Sequence, residues 1–254
     1  MKLLYLLSGE GPADMGACAP HLFDAMGQDF HPGPMAALVD CVVKQKLNDS
    51  PLDSESVRLL HRSRLVELAK KIKIRRQNAV LSPGKRDVKH FERQAQALGQ
   101  EAQAWGSRED SARVMAVLFN DSDGTSSSPV NFWKLKVDSI RRGFEMAGYR
   151  LGVPMVPNPK SEAWLLCAWK VNPYQGCQKL EESSGNDASP NSLKKKLEEA
   201  MGETWDCNKM TDWIRQGHLQ IDRIKMESFV AFYTDLTTAL ERATHREGHV
   251  ESTP

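Results

Sequence analysis

The 254-residue sequence has little net charge, few cysteines and no long apolar run, and each shortage excludes a class of protein. A formal charge of +1 gives no global field to steer a nucleic acid or a membrane, so any such attraction has to come from a local patch. Five cysteines (Cys18, Cys41, Cys167, Cys177 and Cys207) form no CxxC pair and are too sparse for a disulfide framework in a chain this long. They fit a reducing, cytoplasmic setting. The N-terminal apolar run Leu3 to Leu7 ends at Ser8, short of the roughly 7–15 apolar residues of a signal peptide, and reads as a buried strand. No run approaches the ~18 apolar residues of a transmembrane helix, so no membrane segment is expected. With 40% hydrophobic and 26% charged residues, disordered, collagenous and coiled-coil classes are excluded as well.

What remains is a globular α/β pattern. Leu3–Leu7, Arg113–Phe119 and Gly152–Val156 are short, apolar and bounded by turn residues, as buried parallel strands are. Each is followed by a turn and a helical pattern, near Pro20–Met26, Asn131–Gly148 and Ser161–Lys170. Further helices are expected over 55–71 and 86–105, with a short strand near 72–81. Residues 172–191 are rich in Gly, Ser, Asn and Pro and read as a surface loop. Ser189-Pro190 suits the start of a charged helix to about Met201. An amphipathic helix over 222–243 offers Ile224, Phe229, Phe232, Leu236 and Leu240 to the core, and residues 245–254 are expected to fray. The expectation is a single domain over 1–254, a mainly parallel sheet flanked by helices. A partly helical basic insertion at 29–110 follows the first strand-helix unit, and a loop with C-terminal helices fills 171–254.

Two of the strands end in acids. Gly9-Glu10-Gly11 lets the backbone turn sharply and carry Glu10 to the carboxyl edge of the sheet, where open α/β folds bind ligands. Alone, Glu10 fits a plain turn residue equally well. Asp121-Ser122-Asp123-Gly124 ends the next strand, and residues two apart in extended chain face one way, so Asp121 and Asp123 can converge. Such carboxylates repel unless a cation or a shared proton relieves them. Asp and Gly also favour turns, so the motif has a purely conformational reading. A weaker metal signal, Cys18 and His21, lacks a second pair to complete a zinc site.

In order and type, the acid-Gly after the first strand and the Asp-x-Asp-Gly after a later one resemble the Toprim domain of topoisomerases, primases and OLD-type nucleases. The segment Val156-Pro157-Asn158-Pro159-Lys160-Ser161-Glu162-Ala163-Trp164-Leu165-Leu166 is similar to the Asn-Pro, Glu, Trp-Leu-Leu segment of small bacterial RloB-like Toprim proteins. The spacing between the motifs is wider than in a minimal Toprim domain and needs the insertion. The resemblance implies a nuclease that hydrolyses phosphodiester bonds of DNA or RNA with Mg²⁺ or Mn²⁺, as an effector of anti-phage defence. It implies metal ligation by Glu10, Asp121, Asp123 and Glu162, with Lys160 or Lys225 stabilising developing negative charge. It also admits a non-catalytic Toprim-fold subunit that binds a partner ATPase or a nucleoprotein complex. Glu162 has a second explanation, since acids in a first helical turn complement the helix dipole.

Between Arg58 and Arg93 lie twelve Lys or Arg against three acids. Lys70, Lys71, Lys73, Arg75, Arg76, Lys85 and Arg86 are the expected phosphate contacts of this stretch, although a solvated helix face has the same composition.

Overall fold

The structure is a computed structural model, and the residues it describes are 2–72, 88–110, 112–123 and 131–245. Its frame is a five-stranded sheet built from β1 (Leu3–Gly9), β3 (Asp24–Met26), β5 (Val57–Leu60), β6 (Arg113–Phe119) and β7 (Gly152–Met155), in the order β3-β5-β1-β6-β7. All neighbours pair in parallel except the edge strand β3, which runs antiparallel to β5. A separate two-stranded ribbon joins β2 (Gly16–Cys18) to β4 (Phe30–Pro32).

The helices are α1 (Pro34–Leu47), α2 (Arg62–Lys71), α3 (Lys89–Arg108), α4 (Phe132–Met146), α5 (Ser161–Trp169), α6 (Leu193–Met201), α7 (Cys207–Arg215) and α8 (Glu227–Thr244). They cover both faces of the sheet, because alternate residues of every strand need an apolar partner. Leu4 and Leu6 of β1, with Val114, Ala116 and Leu118 of β6, pack under α2, α3 and α4. Tyr5, Leu7, Met115, Val117 and Phe119 face the opposite side, toward α1, α5, α7 and α8. Among the described residues no helix is long and apolar enough to cross a membrane.

The α/β architecture agrees with the sequence, and β1, β6 and β7 lie where their apolar runs place them. The segment between them differs. No helix forms over 20–26; Asp24–Met26 is instead the antiparallel edge strand. The stretch from residue 55 begins as β5, four buried residues separated from α2 by His61 alone, so strand and helix merge into one apolar pattern. Helix α1 carries nine buried residues and was not foreseen. The expected strand near 72–81 and the tail beyond 245 lie outside the described residues. Helix α6 starts at Leu193, with Ser192 rather than Ser189 as its cap: the Ser192 side chain accepts the Lys195 amide. Cys167 and Cys177, ten residues apart with Cα atoms 5.4 Å apart, are disulfide-bonded, a pair the cysteine spacing did not signal.

The fully buried Trp164 of α5 ties this unit together. It stacks on Phe232, meets Phe229 edge-on at 5.2 Å, and donates its indole N–H to Ser228 Oγ at 2.8 Å. Trp164→Ala is expected to lose about 3–5 kcal/mol in urea unfolding, because a large cavity opens between α5 and α8. Trp164→Phe, which fills most of that space, should lose clearly less. Equal losses would show that volume is not what docks α8.

Candidate functional site

The carboxyl ends of the parallel strands share one edge of the sheet, and the acids gather there. β1 leaves the sheet against β6 so closely that a Cβ on Gly9 would lie 2.4 Å from the Phe119 carbonyl. The Glu10 amide donates to that carbonyl at 3.3 Å, fixing the acid beside the end of β6. Gly11 then takes φ +77°, and Asp14 and Met15 donate their amides to its carbonyl, closing a turn that returns Asp14 toward the edge. Past β6, the pairing with the β7 strand direction continues: Asn120, Ser122 and Asp123 donate their amides to Met155, Pro157 and Pro159. Ser122 is fully buried and bonds to Asn158 Oδ1 and the Pro159 carbonyl, which leaves Asp121 and Asp123 for the other side.

Helix α5 begins against these acids. The Ser161 amide donates to Asp121 Oδ1 at 3.0 Å, and the Ser161 hydroxyl donates to Asp14 Oδ1 at 2.6 Å. Glu162 occupies its first turn. Three cations complete the surroundings. Buried Lys136 of α4 donates to the Asp121 carbonyl at 2.5 Å, with its ammonium over the rings of Phe91 and Phe132. Arg62 lies 3.6 Å from Glu10 Oε2, and Lys160 bridges Asp123 at 3.6 Å and Asp187 at 2.7 Å.

Burial dominates the electrostatics. It pushes Glu10 and Glu162 above the usual carboxylate range, raises Asp14 to about 6, and raises Asp121 well above its ordinary value. Asp121 is further raised by Asp14, Glu162 and Asp123, and Asp14 by Glu162 and Glu10, so these acids sense one another. Lys136 is pushed down by the same burial, against the pull of Glu10, Asp123 and Asp121. Two carboxylate oxygens, Glu10 Oε1 and Glu162 Oε2, are buried with no hydrogen-bond partner. Acidic oxygens left unpaired out of water fit a hard divalent cation, which prefers such ligands. Yet among the described residues no three His, Cys, Asp or Glu side chains already surround one point as a metal requires.

Glu10, Asp121, Asp123, Glu162 and Lys160 are therefore neighbours at this edge, whereas no described contact links Lys225 to them. Asp14 and Lys136 join them unforeseen. Asp14 had a readable signal, the last residue of the Gly-Glu-Gly-Pro-Ala-Asp turn. Lys136 had none, being one more lysine in an amphipathic pattern. Lys70 and Lys71 are exposed in the last turn of α2, while Lys73, Arg75, Arg76, Lys85 and Arg86 lie outside the described residues. No family model, curated protein or solved structure matches this chain.

Asp14 gives the site a measurable pH signature. Its folded pKa of about 6 exceeds the 3.8 of an ordinary aspartate, so the folded state binds its proton more tightly than the unfolded chain does. The contribution favours folding below pH 4 and is lost as pH rises through about 6. Asp14→Asn keeps an acceptor for Ser161 and removes the ionisation. In EDTA, its stability relative to wild type should improve by roughly 2–3 kcal/mol between pH 4 and pH 7. A pH-independent difference in urea unfolding would contradict the assignment.

Proposed function

We propose that this chain is a metal-dependent phosphodiesterase of the Toprim type, acting on DNA or RNA. The observation that carries the reading is the gathering of desolvated acids at one sheet edge, with unpaired oxygens on Glu10 and Glu162. Glu10 after the first strand and Asp121 with Asp123 after β6 also stand in the order in which the resemblance puts its acids. Glu10, Asp121 and Glu162, with Asp14 and Asp123 beside them, would hold Mg²⁺ or Mn²⁺. Such an ion, when bound, polarises a phosphoryl oxygen and acidifies a water.

The chain's own residues do the rest. Ser161 orients Asp121 and Asp14 through its amide and hydroxyl, so the start of α5 sets the position of both carboxylates. Lys136 anchors the β6 exit and offsets part of the negative charge. Lys160 and Arg62, each drawn to an acid of the cluster, supply positive charge for the non-bridging oxygens of a phosphodiester. The resemblance extends the proposal to a cytoplasmic role in anti-phage defence beside a partner ATPase.

One observation favours a second reading. Because no ready-made three-ligand set exists among the described residues, the cluster also suits a non-catalytic subunit that binds nucleic acid or a partner and cleaves nothing.

Purified protein with Mn²⁺ is expected to nick plasmid or degrade RNA, and Asp121→Asn should abolish that activity, which also excludes a contaminating nuclease. Glu162→Gln should fall on the order of tenfold to a hundredfold while melting no lower than wild type, since it loses a dipole contribution of only about 0.3–1 kcal/mol and is relieved of a desolvated carboxylate. Cleavage that survives in Asp121→Asn would overturn the assignment. Wild-type protein that binds Mn²⁺ without cleaving either substrate would establish the second reading instead.

A further inference from the structure

Next to the acid cluster lies a cleft of about 520 Å³ that the chemistry above touches only through Arg62. One wall is the Gly9–Gly16 loop that carries Glu10, and the other is the face of α2 from Arg62 to Lys70 with the end of β5. Its volume is within the range of pockets that hold small ligands. Met15, Leu59, Leu60 and Val66 are its apolar lining residues, while Arg62 and Lys70 stand among the polar ones.

The two walls meet different needs. An apolar surface in a cleft takes a flat, weakly hydrated ring, and a basic rim takes an anion attached to it. Arg62 belongs to both places at once, lining the cleft and lying 3.6 Å from Glu10 Oε2. An anion bound by Arg62 therefore sits between the cleft and the carboxylates. A second observation concerns an aromatic next to the lining. His61 lines the cleft, and its ring is met edge-on at 6.1 Å by Phe23, a large aromatic that is 57% exposed. Exposed aromatics beside cationic side chains are what single-stranded nucleic acids stack on, with little regard to base identity.

We propose that this cleft is a nucleoside subsite, which seats the base of the nucleotide flanking the scissile phosphate while Arg62 and Lys70 hold a phosphate at its rim. The inference rests on the acid cluster being a phosphodiester site, and it adds the substrate class: a strand whose flanking nucleotide is unpaired and free to leave the stack. A paired base cannot enter a pocket walled by a loop and a helix without being extruded.

The test is equilibrium binding in EDTA, where no cleavage occurs. The probes are a fluorescein-labelled thymidine tetranucleotide and the same backbone with abasic sites in place of the bases. Wild type should bind the thymidine probe more tightly than the abasic one. Val66→Trp, which fills the cleft from α2, should weaken thymidine binding by roughly tenfold, the scale of one lost stacked base, and leave abasic binding unchanged. Glu67→Trp, from an exposed position lining the same cleft, should act alike and covers a folding failure of Val66→Trp. Equal binding of both probes by wild type, or a preference intact in a folded cleft-filling variant, overturns the subsite. A base-dependent preference in a protein that never cleaves with Mn²⁺ supports the subsite and rejects the phosphodiesterase reading alone.

Discussion

Carboxylates held out of water next to one another are the constraint on which the rest of this structure depends. Asp121 is raised first by burial and then by three other acids, and neither the Ser161 amide nor the nearby Lys136 cancels that cost. A fold gains nothing by assembling such a group for stability alone. Apolar residues of similar volume at these positions would pack without the repulsion. The cost is understandable if the cluster exists to be neutralised by a cation, which is the substance of the proposed function.

The scaffold makes the cluster unavoidable. A parallel sheet places all its carboxyl ends on one edge, and here β1 and β6 are adjacent, so their exits emerge side by side. Gly9 permits the close approach that no side chain would allow, and the amides of Ser122 and Asp123 extend the pairing to the Pro157 and Pro159 carbonyls. Helix α5 then starts directly at Asp121, and Trp164 locks that helix to α8 through the opposite core. The acids are thus positioned by backbone and core packing, not by one another.

Much of this was legible because fully buried parallel strands read as unbroken apolar runs ending in turn residues, as β1 and β6 do. The acids at those ends were legible for the same reason. What could not be read was nonlocal. Val57–Leu60 is too short to separate from the helix that follows His61, and its strand character comes from pairing with β1. Residues 24–26 look helical until the antiparallel pairing with β5 is known. Asp14 returns to the edge through a turn whose geometry depends on Gly11. Lys136 reaches the acids from α4, where its ammonium lies over the rings of Phe91 and Phe132. Tertiary placement gave that lysine its role.

The claim that these acids are held at a cost until a cation arrives is tested most directly by melting wild type and Asp121→Asn at pH 7.5, each in EDTA and in Mn²⁺. Asparagine keeps the acceptor for the Ser161 amide and removes the buried ionisable group. The account predicts that Asp121→Asn melts higher than wild type in EDTA, and that Mn²⁺ raises wild type but not the variant, since an ion stabilises only the fold that binds it. A lower melting temperature for Asp121→Asn in EDTA, with equal Mn²⁺ shifts in both proteins, would contradict it.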